Sequence, residues 1–272
     1  MNLLFSINRK FIPLWEQCMA TILRHGGAAH YDLYVLHSDL TGEDGARMQA
    51  ALRPQDSCTL VRVPDGLFEG FPETGRYPVQ IYYRLAAPLL LPEALNRILY
   101  LDVDTVILNS LEPLYTSDFA GAAFMACSHT RKFLDKVNQA RLGLEDGVRY
   151  LNSGVLMMDL ALLRRTLRLE DIRRYAGQYK NRLILPDQDI LTGLFGDKSL
   201  VLDSRIYNMT DRLYIRCSAL PSERLSLDWV RQNTVVVHYL GKPKPWQKNY
   251  IGPLGVFYQE ELALTRAAAE EA

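Results

Sequence analysis

Residues 97–107 constrain this chain more than any other stretch. They form an apolar run, rich in β-formers, with two carboxylates near its centre, Asp102 and Asp104, one residue apart. The run is too short for a stable helix, which predicts a fully buried strand. An unpaired carboxylate in such a strand is costly. Side chains alternate along a strand, so Asp102 and Asp104 leave an extended chain on the same side, with Val103 on the other. Two carboxylates on one side at the carboxyl end of a central strand suit a hard divalent cation. A loop with two solvated acids is the simpler alternative for a bare D-x-D; the apolar runs on both sides favour the metal.

The chain before this stretch alternates regularly. Residues 2–8 predict a strand, and 11–25 a helix with Leu14, Cys18 and Ile22 at helical spacing, stopped by Gly26 and Gly27. A second strand follows over 31–37. A capping-box helix start at Thr41 to Asp44 runs to about Leu52. Residues 57–63 make a third strand. This β-α-β-α-β order predicts a parallel, doubly wound α/β sheet in the first hundred residues. The loop after its first strand, residues 8–10, falls at the carboxyl edge, where ligands bind. Residues 64–78 are rich in Gly, Pro and acids and read as a mobile loop.

Further along, Arg84 lies in an apolar segment over 78–91 and reads either as a surface arginine or as a phosphate or sugar ligand. Residues 121–127 predict another strand. Over 150–159, Asn152, Ser153 and Gly154 interrupt an apolar strand, either as a plain bulge or as a place of close backbone approach. The arginines at 164, 165, 168, 173 and 174 read as a solvated helix face. Pro186 suits the first turn of a helix, and Asp187 and Asp189 suit its positive end, but a helix start does not demand Gln188. Residues 234–240 form a β-branched strand containing His238, either a core histidine or a ligand. The Gly241 turn with Lys242 and Lys244 is a plausible diphosphate grip. From Gly252 on, an amphipathic helix is expected.

Charge and cysteines bound the function. Lys plus Arg and Asp plus Glu both number 31, so bulk attraction to nucleic acid is not expected, although a local basic pocket is compatible with that balance. The four cysteines lie far apart without a C-x-x-C and read as reduced core thiols in a reducing compartment. No signal-peptide pattern or membrane-length apolar window is present in the sequence. A cytoplasmic, soluble protein is the expectation, with at most peripheral membrane contact and its oligomeric state open.

Taken together, Tyr83 to Leu85, Leu101 to Asp104, Leu151 to Gly154, Leu185 to Asp189 and His238 to Trp246 resemble glycosyltransferase family 8, over nearly the whole chain. The resemblance implies a GT-A fold, a Rossmann-like nucleotide-binding domain with a central mixed, mostly parallel sheet flanked by helices. It divides the chain into a single domain over 1–250 (a nucleotide-binding half, 1–110, and a donor-sugar and acceptor half, 111–250) and a C-terminal helix over 251–272. It implies a retaining transfer of a hexose, glucose or galactose, from a UDP-sugar to a glycan or glycolipid, with Mn2+ (Mg2+ is the alternative). By position, Asp102, Asp104 and His238 look like the metal ligands, and Lys244 and Gly241 like the diphosphate contacts. Arg84, Asn152, Asp187 and Gln188 look like the donor-sugar contacts, with Gln188 and Asp187 as the catalytic pair. Ser6, Asn8 and Lys10 fall where the family grips uracil and ribose, and Val103, within the D-x-D, joins the donor site.

On this view the metal acts as a Lewis acid toward the departing UDP, Lys244 adds to it, and the leaving phosphate takes the acceptor's proton. The Gln188 carbonyl oxygen would steady the anomeric carbon during front-side attack, with Asp187 as the fallback nucleophile. Two departures are visible. Asn8 stands where the family often has an acid, and His129 where some members carry an acidic acceptor-side residue. Two rivals compete. One is a haloacid-dehalogenase-type phosphatase using Asp102 as nucleophile and Asp104 as acid/base, although three predicted strands precede this motif. The other is a catalytically silent UDP-sugar-binding protein.

Overall fold

Strands and helices alternate through the first hundred residues. β1 (Asn2–Ser6), β2 (Asp32–His37), β3 (Ser57–Arg62) and β4 (Arg97–Leu101) are the result, adjacent and parallel in the order β3-β2-β1-β4. The coordinates come from a computed structural model that describes residues 1–73, 78–219 and 225–270. Helix Ile12–His25 joins β1 to β2, with Pro13 in its first turn, and the chain leaves it through Gly27 at φ +88°. Helix Gly42–Ala50 starts with the expected capping box: Thr41 N–H donates to Asp44 Oδ2 at 2.7 Å, and Asp44 N–H to Thr41 Oγ1 at 3.4 Å. Of the loop predicted over 64–78, residues 74–77 lie outside the described residues; 65–71 form turns and a bend.

Of the next four strands, three turn the sheet mixed. β5 (Thr105–Ile107) leaves it, while β6 (Phe124–Cys127), β7 (Val155–Asp159) and β8 (Ser199–Leu202) extend it. β7 runs antiparallel between β4 and β6, and β8 pairs parallel with β6. β1 and β4 are buried on both faces, which is why they read as unbroken apolar runs. Leu3, Phe5, Leu99 and Leu101 feed one apolar cluster, and Leu4, Ile98 and Tyr100 the opposite one.

The structure corrects the opening expectation about the D-x-D. The strand ends at Leu101 and resumes at Thr105, so Asp102, Val103 and Asp104 form a bend between β4 and β5. A sheet interior offers a carboxylate no partner, whereas the bend places both side chains at its rim. Thr105 Oγ1 closes the bend on the Asp102 carbonyl at 2.8 Å, and the Asp102 N–H donates to the Gly154 carbonyl at 2.8 Å. β5 pairs antiparallel with β9 (Val236–His238) in a separate two-stranded sheet, in a register that sets Thr105 opposite His238. That register carries His238 from the far end of the chain to the neighbour of Asp104.

Two further expectations shift. The segment after Pro78 is a 3-10 helix, Val79–Ala86, running into the short helix Ala87–Leu90. Arg164 does not join a solvated face: it donates to the carbonyls of Pro88, Pro92 and Leu95 at 2.7–3.0 Å and staples that segment to helix Leu160–Thr166. The C-terminal helix Gly255–Glu270 buries Phe257 and Tyr258 against Val106 and Val237, and its Glu261 pairs with Arg24 and His25. Among the described residues no disulfide forms, and no helix is long and apolar enough to cross a membrane.

Candidate active site

At the rim where β4, β9 and the loop before β7 meet, Asp102, Asp104 and His238 each offer one ligand atom, all within 4.8 Å of one another. His238 Nε2 lies 3.2 Å from Asp104 Oδ1 and 3.8 Å from Asp102 Oδ2. The ring is buried, yet Nε2 has no hydrogen-bond partner of good geometry. A buried nitrogen aimed at two carboxylates without a hydrogen bond is unusual unless a cation belongs between them. Gly154 makes the approach possible: a Cβ there would overlap the His238 ring and come within 2.7 Å of Asp102 Oδ2. The expected strand over 150–159 starts only at Val155, and Asn152–Gly154 form the loop before it, a close-approach site and not a bulge.

Each acid is held in place. Asp102 Oδ1 accepts from Tyr100 Oη at 2.6 Å and pairs with Arg84 Nη1 at 3.0 Å. Lys244 Nζ pairs with Asp104 Oδ2 and also donates to the Tyr239 carbonyl at 2.6 Å. Burial alone would raise the Asp104 carboxyl, but His238 and Lys244 outweigh it and hold the group below the usual carboxylate range. Arg84 is buried, stacked 4.4 Å over the Tyr100 ring, and bridges Asp102 to Asp187, whose Oδ2 lies 3.6 Å from Arg84 Nε. It is no surface arginine. Burial pushes the Asp187 carboxyl up, against the opposing pull of Arg84 and of the Ser153 hydroxyl, which donates to it at 2.6 Å.

Next to this lies a cavity of about 620 Å3 whose wall includes Arg84, Asp102, Asn152, Asp187, Gln188 and Lys244. The sequence of residues 2–250 matches the model of glycosyl transferase family 8. The chain belongs to glycosyltransferase family 8. It is similar to a putative glycosyltransferase of Haemophilus influenzae, 27% identical over 91% of this chain and 73% of that protein. It is also similar to the lipopolysaccharide 1,2-glucosyltransferase of Escherichia coli K12, 25% identical over 95% of this chain and 76% of that one. Among solved structures, the galactosyltransferase LgtC in complex with donor and acceptor sugar analogues superposes with a TM-score of 0.82 at 25% identity, covering 97% of this chain and 95% of that one. The mixed, mostly parallel sheet is accordingly that of a GT-A glycosyltransferase.

In this glycosyltransferase a chain of amides fixes the chemistry of His238. Asn152 Oδ1 accepts from the Gly154 backbone N–H at 3.0 Å, which identifies it as the oxygen. It also accepts from Asn208 Nδ2 at 2.8 Å, so Asn208 turns its oxygen to His238 Nδ1, 3.0 Å away. An amide oxygen only accepts, so Nδ1 carries a proton and Nε2 is the nitrogen left to face a cation. Two carboxylates and one imidazole form a donor set that suits a divalent first-row metal, and the Nδ1–H to amide bond is the usual outer support of such a ligand. The residues fit a metal ion.

Sequence reasoning missed Asn208. It follows Ile206 and Tyr207 in a stretch without a motif, and only its complete burial marks it.

The other expected residues divide. Gln188 lines the cavity, but its oxygen accepts from Asn152 Nδ2 at 2.6 Å and from the Ser153 N–H at 3.2 Å, so both lone pairs are engaged by the protein. Gly241 lines the cavity at φ +84°, a conformation that favours glycine. Ser6, Asn8 and Lys10 do not line it. Ser6 Oγ donates to the Gln80 carbonyl at 2.8 Å, joining the end of β1 to the 3-10 turn that carries Arg84, while Asn8 Oδ1 caps a turn at Lys10 N–H, 3.1 Å away. Val103 turns away from the cavity and packs on the cluster around Phe5 and Leu101. His129, also on the cavity wall, bonds through Nε2 to the Asn208 carbonyl at 2.8 Å, and burial pushes its imidazole down to about 4, so it is neutral near pH 7.

Proposed function

We propose that the protein is a retaining hexosyltransferase that moves glucose or galactose from UDP to a glycan or glycolipid in the cytoplasm, with Mn2+ held by Asp102, Asp104 and His238. The observation that carries this reading is the unbonded Nε2 of a buried His238 facing two carboxylates at the mouth of a cavity. Mg2+ is the less suitable ion, because it takes oxygen ligands and seldom imidazole. When bound, the metal supplies Lewis acidity to the diphosphate.

The protein's own groups do the rest. Lys244 exchanges its pairing with Asp104 for a diphosphate oxygen, and the Gly241 turn brings backbone N–H groups to the same anion. Arg84, Asn152 and Asp187 hold the sugar hydroxyls. Gln188, braced by Asn152 and the Ser153 N–H, sets the face on which the anomeric carbon lies. Its engaged oxygen favours positioning over nucleophilic attack, and Asp187 Oδ2 is engaged by Arg84 and the Ser153 hydroxyl; both support front-side attack, in which the leaving phosphate takes the acceptor's proton. Ser6, Asn8 and Lys10 flank uracil and ribose at the carboxyl end of β1, beside the cavity, and Val103 contributes through the backbone of the D-x-D bend. Residues 1–250 act as one catalytic unit, its halves meeting at the D-x-D, with 251–272 as a supporting C-terminal segment.

Incubation with UDP-glucose or UDP-galactose and Mn2+, without acceptor, tests this. Slow release of UDP and of a hexose first formed as the α-anomer, stopped by chelation, is the expected result. Release of phosphate from p-nitrophenyl phosphate that UDP does not inhibit points to the phosphatase chemistry instead, and UDP-sugar binding without turnover points to the silent binder.

A further inference from the structure

The cavity is more basic than its donor half requires. Its acids are committed: Asp102 and Asp187 to Arg84, and Asp211 to the Tyr250 hydroxyl and to the Leu254 N–H at 3.0 Å. Arg84 and Lys244 are committed in turn to Asp102, Asp187 and Asp104. Three further cations, Arg212, Arg216 and Lys242, line the same cavity and have no ion-pair or hydrogen-bond partner among the described residues. Arg212 and Arg216 sit four residues apart on helix Asp211–Ala219, so two like charges share one face and weaken the helix. Arg216 is half-buried and close enough to His129 to help keep that imidazole uncharged, which leaves the neighbouring wall without a counter-charge. In a chain of zero net charge, this is a local excess of positive charge, set beside the apolar side chains of Leu134, Leu213 and Leu240.

We propose that Arg212, Arg216 and Lys242 form an anion subsite for the acceptor, so that the sugar accepted carries a phosphate or a carboxylate and is not a neutral glycan. The inference rests on the transferase reading, in which Lys244 and the metal ligands serve the donor's diphosphate. Guanidinium pairs match the planar oxygens of either anion, and the apolar wall suits the face of a sugar ring.

The test uses the full-length protein saturated with UDP and Mn2+, which fills the diphosphate position, and measures binding of glucose, glucuronate and glucose 6-phosphate by saturation-transfer NMR. The expected result is a preference of about tenfold for an anionic sugar over glucose. Whichever of glucuronate and glucose 6-phosphate shows it identifies carboxylate or phosphate as the anion. The double change Arg212→Ala and Arg216→Ala should abolish the preference and leave UDP affinity unchanged, and Arg216→Lys should keep most of it. Raising the ionic strength about tenfold should erode the preference in the unaltered protein, which keeps the test open if the double variant does not fold. Glucose binding as tightly as both anions, a preference that survives the double change, or a parallel loss of UDP affinity overturns the proposal. Absence of any metal-dependent UDP binding defeats the transferase reading instead, and the charge preference is then read on the protein alone.

Discussion

Two clusters of acids and bases stand close together in this molecule, and they differ in what they leave unsatisfied. Around Asp189, at the start of helix Pro186–Phe195, the carboxylate is fully engaged from within. Asp189 is fully buried and accepts from Arg141 through two contacts at 2.7 and 2.8 Å, from Tyr150 Oη at 2.6 Å, and from the backbone N–H groups of Ile184 and Leu185. Around Asp102, Asp104 and His238, the groups converge as tightly, but Nε2 keeps no hydrogen bond and the cavity opens beside it. Asp187, two residues before Asp189, belongs to the second kind, since it faces the cavity and its pairing with Arg84 is long. Saturation marks an anchor; convergence without saturation marks a place for a ligand.

Substitutions should separate the two clusters. Asp189→Ala should have the largest effect, a loss of about 3–5 kcal/mol in denaturant-measured stability, because it strands the Arg141 charge in a poorly solvated site. Asp104→Asn should do the reverse: it should cost clearly less stability than Asp189→Ala and reduce calorimetric Mn2+ affinity by more than about 100-fold, beyond what loss of an outer partner costs. An Asp104 variant as unstable as Asp189→Ala would erase the distinction. Gln188→Ala, which removes the brace on Asn152 and Ser153, should lower kcat by up to about 100-fold with UDP affinity near the original, as measured by initial rates and titration. Asn208→Ala should weaken Mn2+ binding by about 10–100-fold, read by the paramagnetic resonance of free Mn2+, by releasing the His238 ring from its tautomer.

The smallest expected effect concerns pH. The folded His129 titrates at about 4, below its unfolded value of about 6.5, so the unfolded chain binds the extra proton first as pH falls. Its contribution to stability is complete above about 6.5 and is lost as pH drops toward 4. His129→Gln should flatten that part of a melting-temperature profile, and an unaltered slope would argue that the ring is solvated.

Much of this was legible before the fold. The parallel strands of the first half announced themselves because both faces of the sheet are buried, and the capping box at Thr41 and Asp44 has a local signature. His238 and the D-x-D could be paired only through the resemblance, because their meeting depends on the β5–β9 register, a contact across most of the chain. The same gap explains why the bend at Asp102 to Asp104 read as continuous strand: alternation alone does not show where a sheet ends. β8, with Leu200 and Val201 exposed, carries no amphipathic signal and gave no sign of itself. Asn208 and the two arginines of helix Asp211–Ala219 also stayed silent, since their meaning lies in what they face and not in any spacing.

The central claim is that Asp102, Asp104 and His238 hold a cation that clamps a nucleotide diphosphate at the sheet's rim. Calorimetric titration of UDP into the protein, with Mn2+ and again after chelation, tests it most directly. The account predicts an affinity at least about tenfold higher with Mn2+, with that increment missing in Asp104→Asn. Equal UDP affinity in the two titrations would contradict it.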